Sequence, residues 1–302
     1  MKIGFALPVS GSWATADNIT HVARRAEELG YHSLWTFQRL MSDVDGKWGE
    51  MYRSVQDPLT TLAYAAAVTS RARLGVAVVN MPFVTPILLA KQTTTLDILS
   101  GGRLDVGLGL GWADEEYIAS GATKHQAGKR ADEFIALLTT LWTDDVVHFM
   151  GEFYQVPRSR MEPKPVQKPH PPIILGGTVP AALRRAGRLA DGWVSSSRAD
   201  LATIGESIAT VEQAATAAGR DPATLRYVCR GVVRIRTEGD EENRRPLTGT
   251  IDEVRSDIDM LATQGVTELF IDLNFDPQIG SPDADPARSR RHADEALEAL
   301  AP

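Results

Sequence analysis

Residues 99–112 read LSGGRLDVGLGLGW. Gly101 and Gly102 stop a helix, and the short apolar strand that follows ends with glycine at every second position, Gly107, Gly109 and Gly111. Side chains alternate between the faces of a strand, so this spacing strips one face bare and weakens the strand unless something packs closely there. A flat cofactor ring satisfies the pattern. So does a tight strand-to-helix contact or a sharp corner in the chain.

The helix-then-strand alternation extends in both directions from this stretch. Strands are expected at Ile3–Pro8, Ser33–Phe37, Arg73–Asn80, Leu104–Gly109, Pro172–Gly176, Gly192–Ser196, Leu225–Ile235 and Glu268–Leu273. An amphipathic stretch follows each, beginning with Asp17–Leu29, where Asp17 is a possible cap and Gly30 the stop. Eight strand-helix units with none missing predict a (β/α)8 TIM barrel occupying residues 1–302 as one domain. A doubly wound open sheet would show a dinucleotide fingerprint after the first strand, and Pro8 to Trp13 lacks it. Insertions are expected after strands 2 and 4. Gln38–Gln56 is too long for a simple connection, and Asp144–Pro171 reads as a hairpin turning at Gly151 followed by the proline-rich PKPVQKPHPP.

Composition narrows the function. Hydrophobic residues make up 43% and charged residues 24% of the 302, values suited to a globular enzyme with a sizeable core. The single cysteine, Cys229, lies in an apolar run, which excludes a disulfide framework and fits a reducing cytoplasm. No apolar run reaches membrane-spanning length, and no targeting segment precedes MKIGFALPV. A net charge of -7 with scattered basic residues disfavours nucleic acid, leaving a small-molecule substrate as the expectation. The six histidines never come in ligand-like pairs, so no metal site is expected. Neither a serine nucleophile elbow nor a cysteine-histidine pair is present.

Two clusters carry chemistry. In ILGGTVPAALRRAG, Gly176, Gly177 and Thr178 end a strand and Pro180 opens a helix, a turn whose N–H groups and helix dipole suit a phosphate. A structural role also satisfies that turn, with Thr178 as the helix cap and Arg184, Arg185 and Arg188 merely solvated. At the end of the second strand, Gln38 and Arg39 can bind and orient but cannot act as a general base. A proton relay would come from Asp43, Glu50, Tyr52, Asp114 or Glu115, each of which also reads as an ordinary surface group.

Five segments in order, ELGYHSLWTFQRL, LAKQTTTLDILSGGRLDVGLGLGW, ALLTTLWT with its hairpin, PKPVQKPHPPIILGG and ADGWVSS, resemble the luciferase-like monooxygenase superfamily. The likeness is strongest to its branch using the deazaflavin coenzyme F420. It implies a cofactor ring in the barrel mouth against strands three and four, with a cis peptide between Ala77 and Val78 supporting it. By the same mapping Asn80, Gly109, Leu110, Gly111 and Trp112 border the ring, and Gly176, Gly177 and Thr178 receive the phosphate. A homodimer is implied as well.

The chain departs from the family's deazaflavin alcohol and sugar-phosphate dehydrogenases. These carry Asp-His after strand two and a glutamate after the glycine strand, where this chain has Gln38-Arg39 and Trp112. The resemblance therefore implies F420-dependent reduction of a small organic substrate rather than alcohol oxidation, with Arg39, Gln38 and Trp112 as catalytic candidates. The alternatives are an FMN-dependent monooxygenase served by a flavin reductase, and a cofactor-binding protein without catalysis.

Overall fold

The computed structural model of the protein describes residues 1–237 and 244–302. Eight parallel strands close into a barrel: β1 Lys2–Ala6, β2 Ser33–Thr36, β3 Arg73–Val76 continued by Val79–Asn80, β4 Leu104–Gly109, β5 Ile173–Gly176, β6 Gly192–Val194, β7 Arg226–Val232 and β8 Glu268–Asp272. Closure is direct, because β1 pairs with β8 (Lys2 beside Glu268) as well as with β2 (Gly4 beside Ser33). The eight flanking helices are α1 Ala16–Glu28, α2 Pro58–Val68, α3 Pro86–Ser100, α4 Ala127–Thr143, α5 Pro180–Leu189, α6 Ile204–Ala217, α7 Ile251–Thr263 and α8 Pro286–Ala299.

Local chemistry sets most of the helix ends. Thr85 and Asp57 cap α3 and α2 ahead of prolines in the first turn, and Thr250 with Glu253 forms a reciprocal capping box on α7. At α1 the cap is Thr15, whose hydroxyl accepts from the Asn18 amide, and not Asp17, which lies one residue inside the helix. Two expected strands are interrupted. The third breaks at Ala77-Val78, a cis peptide, and the seventh gives way after Val232 to a separate parallel pairing of Arg234–Ile235 with Thr248–Gly249.

Residues 37–57 form a long connection after β2. After β4 comes a segment with a short helix, Asp114–Ala119, and the hairpin Val147–Met150 with Gln155–Ser159 follows α4, in the order the ALLTTLWT segment and its hairpin have in the sequence. Glu133 of α4 accepts the amides of Glu152, Phe153 and Tyr154 at 2.7–2.9 Å, which pins the hairpin turn to the barrel.

Alternation along the strands fills the barrel in three levels. At the N-terminal end, Asp105 pairs with Arg73 at 2.6 Å and Arg226 at 2.7 Å, while Arg226 also reaches Glu268 at 2.7 Å. Above this ionic floor Trp35 stacks on Phe270 with centroids 5.0 Å apart, and its indole N–H donates to Ser33 Oγ at 2.8 Å. Gly75 makes room for that indole, since a Cβ there would lie 2.5 Å from the ring. Ala6, Ala77, Ile174, Val194 and Val228 complete the apolar level. The third level, at the strands' C-terminal ends, is polar and opens on a cavity.

Burial alone would push the Asp105 carboxyl up, but hydrogen bonds and charge from Arg73 and Arg226 outweigh it and hold the group below the usual aspartate range. Its stabilising contribution is therefore complete above the unfolded aspartate value near 4 and is lost as pH falls through the lower folded value. Asp105→Asn is expected to cost about 3 kcal/mol at neutral pH, because it strands buried guanidinium charge. Chemical denaturation measures this, and the variant should lose less stability than the parent between neutral pH and about pH 3; equal acid sensitivity of the two proteins contradicts the assignment.

Candidate active site

The glycine face of β4 is filled by β3. After Val76 the chain turns inward at Ala77-Val78, and a Cβ on Gly107 would lie 1.7 Å from the Val76 carbonyl oxygen. A Cβ on Gly109 would meet Val78 Cγ2 at 2.5 Å, one on Gly176 would meet Val78 Cγ1 at 3.0 Å, and one on Gly111 would crowd Phe83 and Asn80. The bare strand is thus a packing corner in its first role. Gly109 and Gly111 do not face empty space reserved for a ring; they seat Val78 and Asn80, and that seated segment forms the cavity wall together with them.

The cavity has a volume of about 730 Å³, within the ~300–1,000 Å³ typical of small-molecule and cofactor sites. All twelve residues singled out in the sequence line it: Gln38, Arg39 and Trp112; Ala77, Val78 and Asn80; Gly109, Leu110 and Gly111; Gly176, Gly177 and Thr178. Gln38 has a definite positioning contact, its Oε1 accepting from the Asn80 amide at 2.8 Å, so the end of β2 holds the end of β3.

Arg39 is 8% exposed and surrounded by aromatic rings, its guanidinium carbon 5.3 Å from the Trp48 centroid, 5.0 Å from Tyr52 and 4.7 Å from Trp112. Glu116, fully buried, places Oε1 3.3 Å from Arg39 Nε. The alignment is too poor for a hydrogen bond, and both Nε and Nη1 of Arg39 lie buried without an acceptor. Burial works against the Arg39 charge and the Glu116 carboxylate offsets it in part, lowering the pKa. A guanidinium remains charged at neutral pH regardless. Glu116 also accepts the Leu40 amide at 2.7 Å, which fixes the backbone just beyond Arg39.

At the opposite wall the N-cap residue of α5, Val179, has no capping side chain, and Thr178 does not supply one. Pro180 carries no N–H and the Ala182 amide already donates to the Val179 carbonyl at 2.9 Å, so within the first turn the Ala181 amide is the one left for water or a ligand. The Trp193 indole N–H donates to the Gly177 carbonyl at 2.8 Å and fixes the turn. Arg185 is not merely solvated: it lines the cavity, is paired with Asp132 at 2.5 Å and is only 12% exposed along its side chain.

The sequence matches the luciferase-like monooxygenase family over residues 1–298. The chain belongs to that family. A flavin-dependent trigonelline monooxygenase, oxygenase component, of Acinetobacter baylyi is 32% identical over 166 residues, covering 54% of this chain and 44% of that protein. The crystal structure of the monooxygenase RslO1 from Streptomyces bottropensis superposes with a TM-score of 0.81 at 26% identity, covering 99% of this chain and 98% of the other. An F420-dependent secondary alcohol dehydrogenase in complex with an F420-acetone adduct gives a TM-score of 0.78 at 16% identity, with 99% and 97% covered, and so shares the fold.

Several residues of this luciferase-like site escaped the sequence. Glu116 was passed over beside Asp114 and Glu115, and only the short helix shows that it alone of the three turns inward. Asp114 instead pairs with Lys124 at 2.5 Å, Asp43 accepts the Lys47 and Trp48 amides, and Glu50 accepts from Ser281 at 2.8 Å, so none of these three serves as a relay in the cavity. Tyr52 does reach the cavity wall. Arg230 is held by Asp272 at 2.7 Å at the top of β7, and its period-two spacing from Arg226 and Val228 was the available signal. Cys229, its neighbour facing the other way, is buried, and burial pushes its thiol up to about 12. Among the described residues no group of three or more His, Cys, Asp and Glu could hold a metal ion, and no helix is long and apolar enough to cross a membrane.

Glu116→Gln keeps an acceptor for the Leu40 amide but removes the charge facing Arg39. It is expected to destabilise the protein by about 3 kcal/mol, read from urea denaturation; a loss below about 1 kcal/mol would mean that the aromatic rings alone compensate the guanidinium.

Proposed function

We propose that this luciferase-like oxidoreductase is a coenzyme F420-dependent reductase of small organic substrates. Ala77, Val78 and Asn80 with Gly109, Leu110 and Gly111 would hold the ring system, and Gly176, Gly177 and Thr178 the phosphate. The residues fit such a group, because the α5 N-terminus is uncapped and Arg185 stands beside it in the cavity wall. Reduced F420, when bound, supplies hydride.

The observation that carries the reductive direction is the charge of the mouth. Arg39, Arg185, Arg198 and Arg230 line it, against two carboxylates, Asp200 and Glu206, and among the described residues no histidine. Alcohol oxidation needs a base to take the hydroxyl proton. Asp200 is engaged as the cap of the turn at Leu201–Thr203, accepting from the Ala202 amide at 3.0 Å, and Glu206 lies in the first turn of α6. A carbonyl or activated double bond that accepts hydride gains negative charge instead. A guanidinium fixed among three rings is already oriented toward such charge and reorganises little.

The FMN-dependent monooxygenase is the second reading, favoured by the flavin-dependent trigonelline monooxygenase relative and by the superposed monooxygenase at 26% identity. It would require reduced FMN from a separate reductase.

Titration of apo-protein with F420 and FMN, followed by fluorescence, separates the two. F420 is expected to bind about tenfold more tightly or better, a difference of ~1.4 kcal/mol, and reduced F420 bound to the protein to be oxidised on addition of an enone or imine substrate. Tighter FMN binding together with oxygen uptake on substrate addition overturns the deazaflavin assignment. Arg39→Met is expected to lower turnover by about 100-fold, the scale of one preorganised donor to developing charge, while the cofactor dissociation constant stays nearly unchanged; unaltered turnover removes Arg39 from the reaction.

A further inference from the structure

A second chamber of about 210 Å³ adjoins the cavity, sharing Ser197, Arg198 and Arg230 as a common wall and lined further by Arg234, Arg245 and Thr248. We infer that this chamber binds a carboxylate group of the substrate whose reacting end occupies the main cavity. The inference rests on the reading of that cavity as the place of the redox reaction.

Charge bookkeeping points to an anion. Four guanidiniums and one carboxylate, Asp200, line the chamber; Arg230 is paired with Asp272 behind the wall, which leaves three guanidiniums facing Asp200, and Asp200 already accepts from the Ala202 amide and from Thr203 Oγ1. Neighbouring arginines outside it are neutralised, Arg236 by Asp276 at 2.8 Å and Arg244 by Asp257. By contrast, among the described residues no carboxylate lies within ion-pair distance of Arg198, Arg234 or Arg245, and Arg234 Nε is buried without an acceptor. Like charges gathered in a concave, partly dry space repel one another, and an anion seated among them relieves both that repulsion and the unsatisfied donors.

Arg230 makes the chamber part of the site rather than a separate hollow. Its Nε is held by Asp272 at 2.7 Å and its Nη1 donates to the Ala77 carbonyl at 3.3 Å, while Phe37 and Phe275 flank the guanidinium at 4.6 and 4.3 Å. Asp272 is fixed in turn by the amide and side chain of Asn274 at 3.0 and 2.9 Å. One side of Arg230 thus touches the strand that walls the main cavity and the other faces the chamber. With Nε and Nη1 engaged, Arg230 offers Nη2 as a fixed, charged donor, and the other guanidiniums of the chamber supply the remaining bonds to a carboxylate. The turn proposed for phosphate, Gly176–Thr178, lines the main cavity and not the chamber.

Calorimetric titration of the apo-protein with glutarate and with its neutral diamide, glutaramide, tests the inference without any cofactor. Glutarate is expected to bind and glutaramide to fail. Arg234→Met and Arg198→Met should each weaken glutarate by about tenfold or more, the scale of one charge-assisted hydrogen bond, with Arg234→Lys in between and with thermal unfolding of all three variants confirming that they fold. Equal binding of diacid and diamide, or binding unchanged in both methionine variants, overturns the site. Repeating the titration with FMN, which has no carboxylate, and with F420, which has, identifies the source of the anion. Glutarate binding that persists with either cofactor supports a substrate site; loss with F420 alone assigns the chamber to the cofactor's own carboxylates and overturns the substrate assignment. Failure of the cofactor reading shows separately, as absence of F420 and FMN binding, and leaves the apo titration intact.

Discussion

The seating of Val78 against a strand without side chains is the constraint on which the upper half of this barrel depends. Gly107, Gly109 and Gly176 leave a hollow in the inner wall, and β3 bends into it rather than running straight to its end. Were β4 built of ordinary residues, the Val76 carbonyl and the Val78 side chain would have nowhere to go. The bend carries Asn80 to the rim, where Gln38 holds its amide, and the Ala77 carbonyl to Arg230. A pattern that weakens one strand in isolation thereby fixes the positions of three others.

Charge is arranged very differently at the two ends of the barrel. At the floor, Asp105 and Glu268 face Arg73 and Arg226, and every charge has a partner within 2.7 Å. At the mouth the pairing is less complete: Arg185 and Arg230 have carboxylate partners, whereas Arg39 is held by ring faces and by one imperfectly aligned carboxylate. The floor is a structural network with its hydrogen bonds complete; the mouth holds donors in reserve. Fixed, incompletely satisfied donors in a low-dielectric setting are what a site for anionic or charge-accepting ligands requires.

The fold was legible because each strand-helix unit repeats the same two periods, and eight units in one chain leave little besides a closed barrel. Of the twelve residues that line the cavity, Gln38, Arg39, Gly109, Gly111, Gly176, Gly177 and Thr178 stood out by residue type at strand ends and turns, whereas Ala77, Val78, Asn80, Leu110 and Trp112 came from the family resemblance alone. The inward turn of Glu116 and the place of Arg198 and Arg230 in the cavity wall were not legible. Whether Asp114, Glu115 or Glu116 turns inward depends on a short helix in a long connection, and a six-residue helix has too little periodicity to declare its buried face. The glycine face offered two readings that the strand's own residues do not separate: the residue that fills it, Val78, is 31 positions away from Gly109, beyond the cis peptide that the resemblance implied. The cap of α1 falls at Thr15 rather than Asp17, and that of α5 at Val179 rather than the neighbouring Thr178.

The ionic floor also has a bearing on kinetics. Because Ser33, Arg73, Asp105, Arg226 and Glu268 shut the barrel at one end, molecules that occupy its depth and its rim share a single doorway. A ligand against Val78 and one beside Arg39 would both have to use the end of the barrel that the ionic floor leaves open, so the plugged end bears on traffic far from the atoms that react.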